Sequence, residues 1–212
     1  FRRVLFRSGR KTFGLDATYS LGRNLSGVGV YSREIMHGLA RAHPQHRFVY
    51  YYRPHRFLRS FKEAAPSNAR RRLLRGAPRV DLFHALNQRV DAPARKTVST
   101  FHDLFVMTSE YSSAEFRARF TEQAREAAAK SDAIIAVSQY TADQVERLLG
   151  VEASRIHVVP HGVHVPSPDP APPRENLVLF MGAIQKRKNV ARLVRAFERM
   201  PSGWRLALAG AS

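Results

Sequence analysis

Cysteine is absent from this 212-residue chain, and tryptophan occurs only once. The lack of cysteine excludes disulfide bridges, thiolate metal ligands and cysteine nucleophiles. No run of eighteen apolar residues occurs, so the sequence predicts no membrane-spanning helix. With 44% hydrophobic residues and 10% aromatic residues, the composition indicates a folded globular protein of enzyme size.

Acidic side chains are also scarce. The chain carries 35 Lys and Arg residues but 17 Asp and Glu residues, which gives a formal net charge of +18. Residues 1–96 hold 21 basic and 5 acidic side chains, whereas residues 97–212 hold 14 and 12. This asymmetry indicates an anionic partner, and composition leaves open whether that partner is nucleic acid, a phosphorylated substrate or an anionic membrane surface.

Short apolar segments alternate with amphipathic ones along most of the chain. Strands are predicted at residues 11–16, 47–52, 80–86, 96–101, 133–137 and 156–159, and helices at residues 28–42, 112–130 and 141–149. This alternation predicts an α/β fold with a Rossmann-like, doubly wound parallel sheet. The basic segment 53–79 is weakly periodic, and we expect one or two helices there.

A proline-rich segment separates two predicted domains. Residues 163–176 contain five prolines in fourteen positions. We expect one domain over residues 11–165, a linker over 166–175, and a second Rossmann-like domain that begins at 176 and is truncated at 212. That second part is predicted as a strand at 177–181, a helix at 189–200 and a strand at 205–209. The sequence of residues 1–10 shows neither the helical nor the strand periodicity of apolar residues, and we interpret these residues as a non-native or disordered extension.

A glycine-containing turn lies where the loop after the first predicted strand becomes the first helix. Gly27, Val28 and Gly29 form this turn, and glycines there let backbone N–H groups approach an anion at the positive end of the helix. A plain tight turn is an equally good interpretation. Ser32 occupies the third glycine position of G-x-G-x-x-G, which disfavours dinucleotide binding.

Polar residues also follow two other predicted strands. His102 and Asp103 come directly after the strand at 96–101, so we expect them at the carboxyl edge of the sheet. A histidine there can donate a hydrogen bond to a substrate hydroxyl or act as an acid or base. His84 and Asn87 are expected at the same edge, after the preceding strand. A purely structural role is the alternative for each histidine.

Three basic residues precede the predicted helix of the second domain: Lys186, Arg187 and Lys188. Cations at this position can clamp a diphosphate, and the helix N-terminus adds its dipole. A solvated run of charge is the alternative.

Three histidines lie close together in the sequence at positions 157, 161 and 164. His157 falls within a predicted strand, and no carboxylate completes a set of ligands. We therefore predict no metal site.

Four blocks of sequence together resemble the family 4 glycosyltransferases, which are retaining enzymes of the GT-B fold. The blocks are GLDATYSLGRNLSGVGVYSREIMHGLA, STFHDL, SDAIIAVSQYTADQVERLLGVEASRIHVVPHGV and VLFMGAIQKRKNVARLVRAF. They are most similar to the mannosyltransferase-like branch of bacterial polysaccharide assembly. The resemblance implies an N-terminal acceptor-side domain and a C-terminal domain that binds a nucleotide-sugar such as GDP-mannose or a UDP-hexose. It also implies metal-independent transfer to a glycan or lipid-linked acceptor, without a cofactor.

The resemblance also implies roles for individual residues. His102 would be catalytic and contact the transferring sugar, and Asn87 and Asp103 would lie near the acceptor or support the site. Donor and phosphate binding would fall to Gly27, Val28, Gly29, Gly182, Arg187 and Lys188. Many relatives have Gly-Arg where this chain has Gly182 and Ala183, so one phosphate-binding arginine is absent or replaced. The glutamate pair of the family would lie beyond Ser212, and we expect the fragment to be inactive.

The family resemblance offers a role for the basic segment 53–79. In relatives this region often faces a membrane, which implies docking on anionic lipid and a cytoplasmic protein, peripheral at the inner face of the cytoplasmic membrane. One alternative is a basic module that binds nucleic acid through residues 41–96 without catalysis, although the sequence has no nucleic-acid-binding motif. Another is a different GT-B-like enzyme such as a sugar-nucleotide epimerase, which the HDL and KRKN blocks disfavour.

Overall fold

The computed structural model describes residues 9–165 and 173–210. Most of the predicted N-terminal extension and of the predicted linker therefore lies outside the described residues. The chain divides into two compact units, Phe1–Gly162 and Val163–Ser212, which we call the first and the second unit.

The first unit is built on a seven-stranded sheet. Its strands are β1 (Thr12–Asp16), β2 (Arg47–Tyr52), β3 (Ala69–Leu73), β4 (Leu82–Ala85), β5 (Thr97–Phe101), β6 (Ala133–Ala136) and β7 (Ile156–Val158). They lie in the order β3-β2-β1-β4-β5-β6-β7, and every neighbouring pair is parallel. The order reverses between β1 and β4, the place where ligands bind in open α/β sheets. The predicted Rossmann-like fold is confirmed.

Among the described residues of the first unit, five α-helices accompany this sheet: α1 (Gly27–Ala42), α2 (Pro54–Phe57), α3 (Phe105–Thr108), α4 (Ala114–Lys130) and α5 (Gln139–Leu149). The hydroxyls of Ser26, Ser113 and Ser138 cap the N-termini of α1, α4 and α5 by accepting from the backbone N–H three residues later. Among residues 9–165 and 173–210, no helix is both long enough and apolar enough to cross a membrane.

The helices cover both faces of the sheet. Alternate side chains of β2 belong to two different core clusters: Tyr50 packs with Met36 and Ala40 of α1, whereas Val49 packs in the cluster that contains Ala124 of α4. Burial on both faces accounts for the unbroken apolar sequence of β2, which is typical of doubly wound sheets.

The basic segment 53–79 contains a strand that its sequence pattern does not predict. We expected one or two helices there; α2 and the 3-10 turn Leu58–Lys62 fit that expectation, but β3 does not. Strand β3 reads ARRRL and lacks apolar alternation, because it lies at the sheet edge and pairs only with β2. The edge position leaves Arg70 and Arg72 exposed, and charge on an edge strand opposes pairing with another chain.

The second unit has the predicted strand, helix, strand order. Its elements are β8 (Leu177–Met181), α6 (Val190–Phe197) and β9 (Arg205–Ala209), and β8 and β9 pair in parallel. A 3-10 turn, Lys186–Lys188, precedes α6. The helix begins one residue later and ends three residues earlier than the predicted 189–200, and Asn189 takes a left-handed conformation (φ 51°) at its start.

Candidate functional site

The carboxyl edge of the seven-stranded sheet brings two predicted features together. α1 begins after β1, and His102 directly follows β5. Tyr31 lies one turn into α1, and its ring meets the His102 ring edge-on, with centroids 4.8 Å apart and planes at 83°. The glycine turn and His102 are therefore parts of one site, joined by a side chain that the sequence analysis did not select.

Two hydrogen bonds hold His102. Its Nε2 lies 3.0 Å from the Leu86 carbonyl oxygen, and the backbone carbonyl of His102 accepts from the Thr141 hydroxyl at 3.3 Å. Because a carbonyl only accepts, Nε2 must carry the proton, and Nδ1 of the neutral ring is an acceptor. Burial lowers the pKa of His102; the bond to Leu86 opposes this shift, and nearby His161 adds to it. The neutral ring therefore has Nδ1 available to accept a hydrogen bond from a hydroxyl, whereas the sequence suggested that the ring could also donate one.

His161 completes a group of three rings. Its centroid is 5.0 Å from that of Tyr31 and 5.7 Å from that of His102. It is exposed in the loop after β7, so the group opens to solvent. From the sequence, His161 was a candidate only for a metal ligand. Within the described parts of the chain, no cluster of three or more His, Cys, Asp or Glu side chains is placed to hold a metal ion.

His84 does not lie after its strand, as the sequence suggested. It is the third residue of β4 and is only 7% exposed. Its Nε2 lies 2.8 Å from Oγ1 of Thr100 on the neighbouring strand. Burial lowers the pKa of His84 to about 4, with a smaller effect in the same direction from His102. The prediction that His84 belongs to the open edge is therefore wrong, because its side chain is buried within the sheet and bonded to Thr100.

Asn87 and Asp103 lie in edge loops, but both use a side-chain oxygen in a local turn. Asn87 Oδ1 accepts from the Gln88 N–H at 2.8 Å, and Asp103 Oδ1 accepts from the Phe105 N–H at 3.2 Å, at the start of α3. Both residues shape the loops beside His102. Their contact with an acceptor stays a prediction.

The residues of the glycine turn differ in their surroundings. A β-carbon on Gly29 would lie 2.8 Å from the Tyr19 carbonyl oxygen, whereas one on Gly27 would meet no atom within 4 Å. The Gly29 N–H already donates to the Ser26 hydroxyl at 3.3 Å. Gly29 therefore packs α1 against the preceding loop, and Gly27 and Val28 remain the candidates for approach to an anion.

A buried ion-pair network at the same edge was missed by the sequence analysis. Arg53 directly follows β2, with NH1 3.0 Å from Asp16 Oδ2 and Nε 2.7 Å from Asp91 Oδ2. Asp16 also accepts from the backbone and hydroxyl of Thr18, so the network fixes the loop that leads to α1. Arg53 is only 6% exposed, so this residue of the basic segment is not available for the expected docking on anionic lipid.

The predicted cations of the second unit lie in the turn before α6. Gly182 follows β8 with φ +139°, a conformation that other residues rarely adopt, and its N–H donates to the Ala209 carbonyl at 2.8 Å. Arg187 donates from Nε to Gln185 Oε1 at 2.9 Å, and Lys188 is exposed. The basic turn is thus placed at a helix N-terminus, as the sequence predicted.

The decisive comparison concerns the first unit. Residues 18–166 match the sequence profile of Glycosyltransferase Family 4, and this range includes both the glycine turn and His102. The chain belongs to Glycosyltransferase Family 4. The resemblance given by the four sequence blocks is confirmed at the level of this family.

Three individual proteins are similar to this chain, one in sequence and two in fold. The D-inositol 3-phosphate glycosyltransferase of Xylanimonas cellulosilytica is 35% identical over 99 residues, which cover 39% of this chain and 24% of that protein. Sucrose-phosphate synthase of Thermosynechococcus elongatus superposes with a TM-score of 0.66 at 18% identity, covering 94% of this chain and 62% of that one.

A second solved relative, HepE of Anabaena in complex with UDP and glucose, superposes with a TM-score of 0.58 at 14% identity, covering 96% of this chain and 62% of that one. At these identities the two structures show the shared GT-B fold alone. The family 4 chain spans less than two thirds of the length of each of these three relatives.

Proposed function

We propose that this chain belongs to a retaining hexosyltransferase of cell-envelope polysaccharide synthesis. It would transfer a hexose, with mannose as the first candidate, from GDP-mannose or a UDP-hexose to a glycan or lipid-linked acceptor. Family 4 membership supports glycosyl transfer. The HepE relative was solved with UDP and glucose, which supports a nucleotide-linked hexose as donor.

One observation carries this proposal: the first turn of α1 and the His102 ring meet at the carboxyl edge, through Tyr31. The helix N-terminus favours phosphate oxygens. The neutral His102 ring offers Nδ1 as an acceptor for a hydroxyl. A nucleotide-sugar carries both groups, one on each side of the anomeric carbon, and would therefore occupy both parts of the site.

In the proposed reaction, the bond between the anomeric carbon and the diphosphate oxygen breaks. The acceptor oxygen bonds to the same face of that carbon, and the acceptor proton passes to the departing diphosphate. Negative charge grows on the diphosphate during this step, so cations and a helix N-terminus beside it lower the barrier. Within the second unit, Arg187 and Lys188 in the turn before α6 have the positive charge that such a role needs without a metal ion.

A donor panel tests the proposal. The protein, as its gene encodes it, is incubated with GDP-mannose, UDP-glucose and UDP-galactose, and the release of GDP or UDP is measured with and without EDTA. We expect release from one of these donors at a rate that EDTA does not change, since water can slowly replace the acceptor. Release from none of the three would contradict the proposed donor class, and loss of release in EDTA would contradict metal-independent transfer.

We further propose that the 3-10 turn Leu58–Lys62 docks the protein on an anionic membrane. Leu58 is 80% exposed and Phe61 is 60% exposed, and Arg59 and Lys62 beside them are exposed as well. Apolar side chains can enter the headgroup region while neighbouring cations bind lipid phosphates. Arg71 supports this turn from β3, because it donates to the carbonyls of Ser60 and Glu63 and its guanidinium lies over the Phe61 ring, 5.6 Å from the centroid.

A further inference from the structure

A short chain of buried polar side chains runs between two strands and α1. His84 Nε2 on β4 lies 2.8 Å from Thr100 Oγ1 on β5, and the same oxygen lies 3.0 Å from the Tyr31 hydroxyl. Thr100 is fully buried, and His84 is nearly so. The hydroxyl of Tyr31 is therefore anchored to the core of the sheet rather than to solvent.

The side chains of His84, Thr100 and Tyr31 are all uncharged at neutral pH. Burial raises the pKa of Tyr31 against the opposite effect of its bond to Thr100, so the hydroxyl keeps its proton. The pKa of His84 is about 4, because burial disfavours its charged form. A neutral chain of this kind contributes geometry to its surroundings, since it places no ion near the site.

The anchored Tyr31 ring packs against the imidazole of His102. Their rings meet nearly at right angles, with centroids 4.8 Å apart, and His161 lies against the same tyrosine at 5.0 Å. The bond to Leu86 fixes only one nitrogen of His102 and would allow the ring to rotate about it. Contact with the Tyr31 ring is a second restraint on the orientation of the His102 ring.

We propose that Tyr31 is a positioning residue for His102. Its hydroxyl is anchored through Thr100 to His84, and its ring holds the imidazole of His102 in place. In this orientation Nε2–H of His102 donates to the Leu86 carbonyl, and Nδ1 faces a sugar hydroxyl. The consequence for catalysis rests on the proposed hexosyl transfer. The structural part of the proposal does not depend on that function, because His102 has its ring orientation and its tautomer without a bound substrate.

Nuclear magnetic resonance of the histidine ring nitrogens tests the structural part. In the wild type we expect His102 to show the Nε2–H tautomer. Tyr31→Phe removes only the hydroxyl, and Thr100→Val breaks the same anchor from the other side. Both variants should give His102 a mixture of tautomers, whereas Tyr111→Phe, an exposed tyrosine stacked on Phe105, should leave it unchanged. An unchanged His102 tautomer in both anchor variants would overturn the proposal.

Kinetics test the catalytic part separately. We expect Tyr31→Phe to lower kcat by about tenfold while KM for the nucleotide-sugar changes little, because misorientation of a catalytic group acts mainly on the transition state. An unchanged kcat would overturn the positioning role. If the wild type transfers no hexose at all, the proposed function fails, and the tautomer measurement still decides whether Tyr31 orients His102.

Discussion

The Arg53 guanidinium lies 3.0 Å from the Asp16 carboxylate, and both side chains are almost completely shielded from water. They join the ends of β2 and β1 at the edge where α1 begins. Burial alone would raise the pKa of Asp91, the second partner of Arg53, but hydrogen bonds from Arg53 and Arg89 outweigh burial and lower it. The two arginines therefore favour the charged form of the Asp91 carboxylate.

Loss of Arg53 should destabilise the first unit. Arg53→Met leaves the Asp16 carboxylate buried without its ion pair, so we expect the free energy of unfolding to fall by about 3 kcal/mol or more. Arg59→Met, in the exposed turn, should change it by no more than about 0.5 kcal/mol. Urea denaturation measures both. Equal stability of the two variants would show that the buried pair is unimportant.

His84 should make the fold sensitive to mild acid. Its pKa is about 4 when folded, against 6.5 for an ordinary histidine, so the unfolded chain binds a proton more readily between these values. Stability should therefore be full above pH 6.5 and fall as the pH drops towards 4, by up to about 3 kcal/mol. His84→Gln should remove this part of the pH dependence. His55→Gln, on the exposed start of α2, should retain it; identical pH profiles for the two variants would refute the assignment.

The two glycines of the α1 turn should respond differently to alanine. Gly29→Ala forces a β-carbon towards the Tyr19 carbonyl, and we expect a loss of about 1–3 kcal/mol on thermal unfolding. Gly27→Ala enters open space and should be neutral or slightly stabilising in the fold. A Gly29→Ala protein as stable as Gly27→Ala would contradict the close packing of this helix start.

Local patterns in the sequence were enough to place the edge of the sheet. The alternation of segments gave the strand and helix order, and residues directly after strands, such as His102, lie where a parallel sheet requires. Strand β3 was not predicted, because a strand at the sheet edge needs no alternation of apolar residues. His84 was misplaced although it lies inside the predicted strand, because a sequence pattern does not show that its side chain is buried against Thr100 of the neighbouring strand.

Contacts between distant residues were beyond the reach of sequence periodicity. Arg53 stands in a run of basic residues that suggests a surface, and only the fold brings it to Asp16 and Asp91. Tyr31 has the spacing of a core position on α1, so no local signal distinguishes it from packing. His161 meets His102 only because β7 and β5 end at the same edge.

Membrane docking should depend on the exposed turn after α2. We expect the protein to sediment with phosphatidylcholine vesicles only when they also contain phosphatidylglycerol, and less so in high salt. The double variant Leu58→Ser with Phe61→Ser should lose most of this binding, whereas Phe116→Ser, an exposed aromatic on α4, should keep it. Equal recovery with neutral and anionic vesicles would remove the membrane proposal.

The most direct test of the central claim is the rate of hexose transfer in His102→Ala, made in the protein as its gene encodes it and measured with the preferred donor of the panel. The matched control is His157→Ala, which changes an exposed histidine of the edge strand β7. We expect His102→Ala to lower turnover by about a hundredfold, because an oriented group that acts in the transition state is lost, and His157→Ala to retain the wild-type rate. A wild-type rate in His102→Ala would contradict the account and return His102 to a structural role.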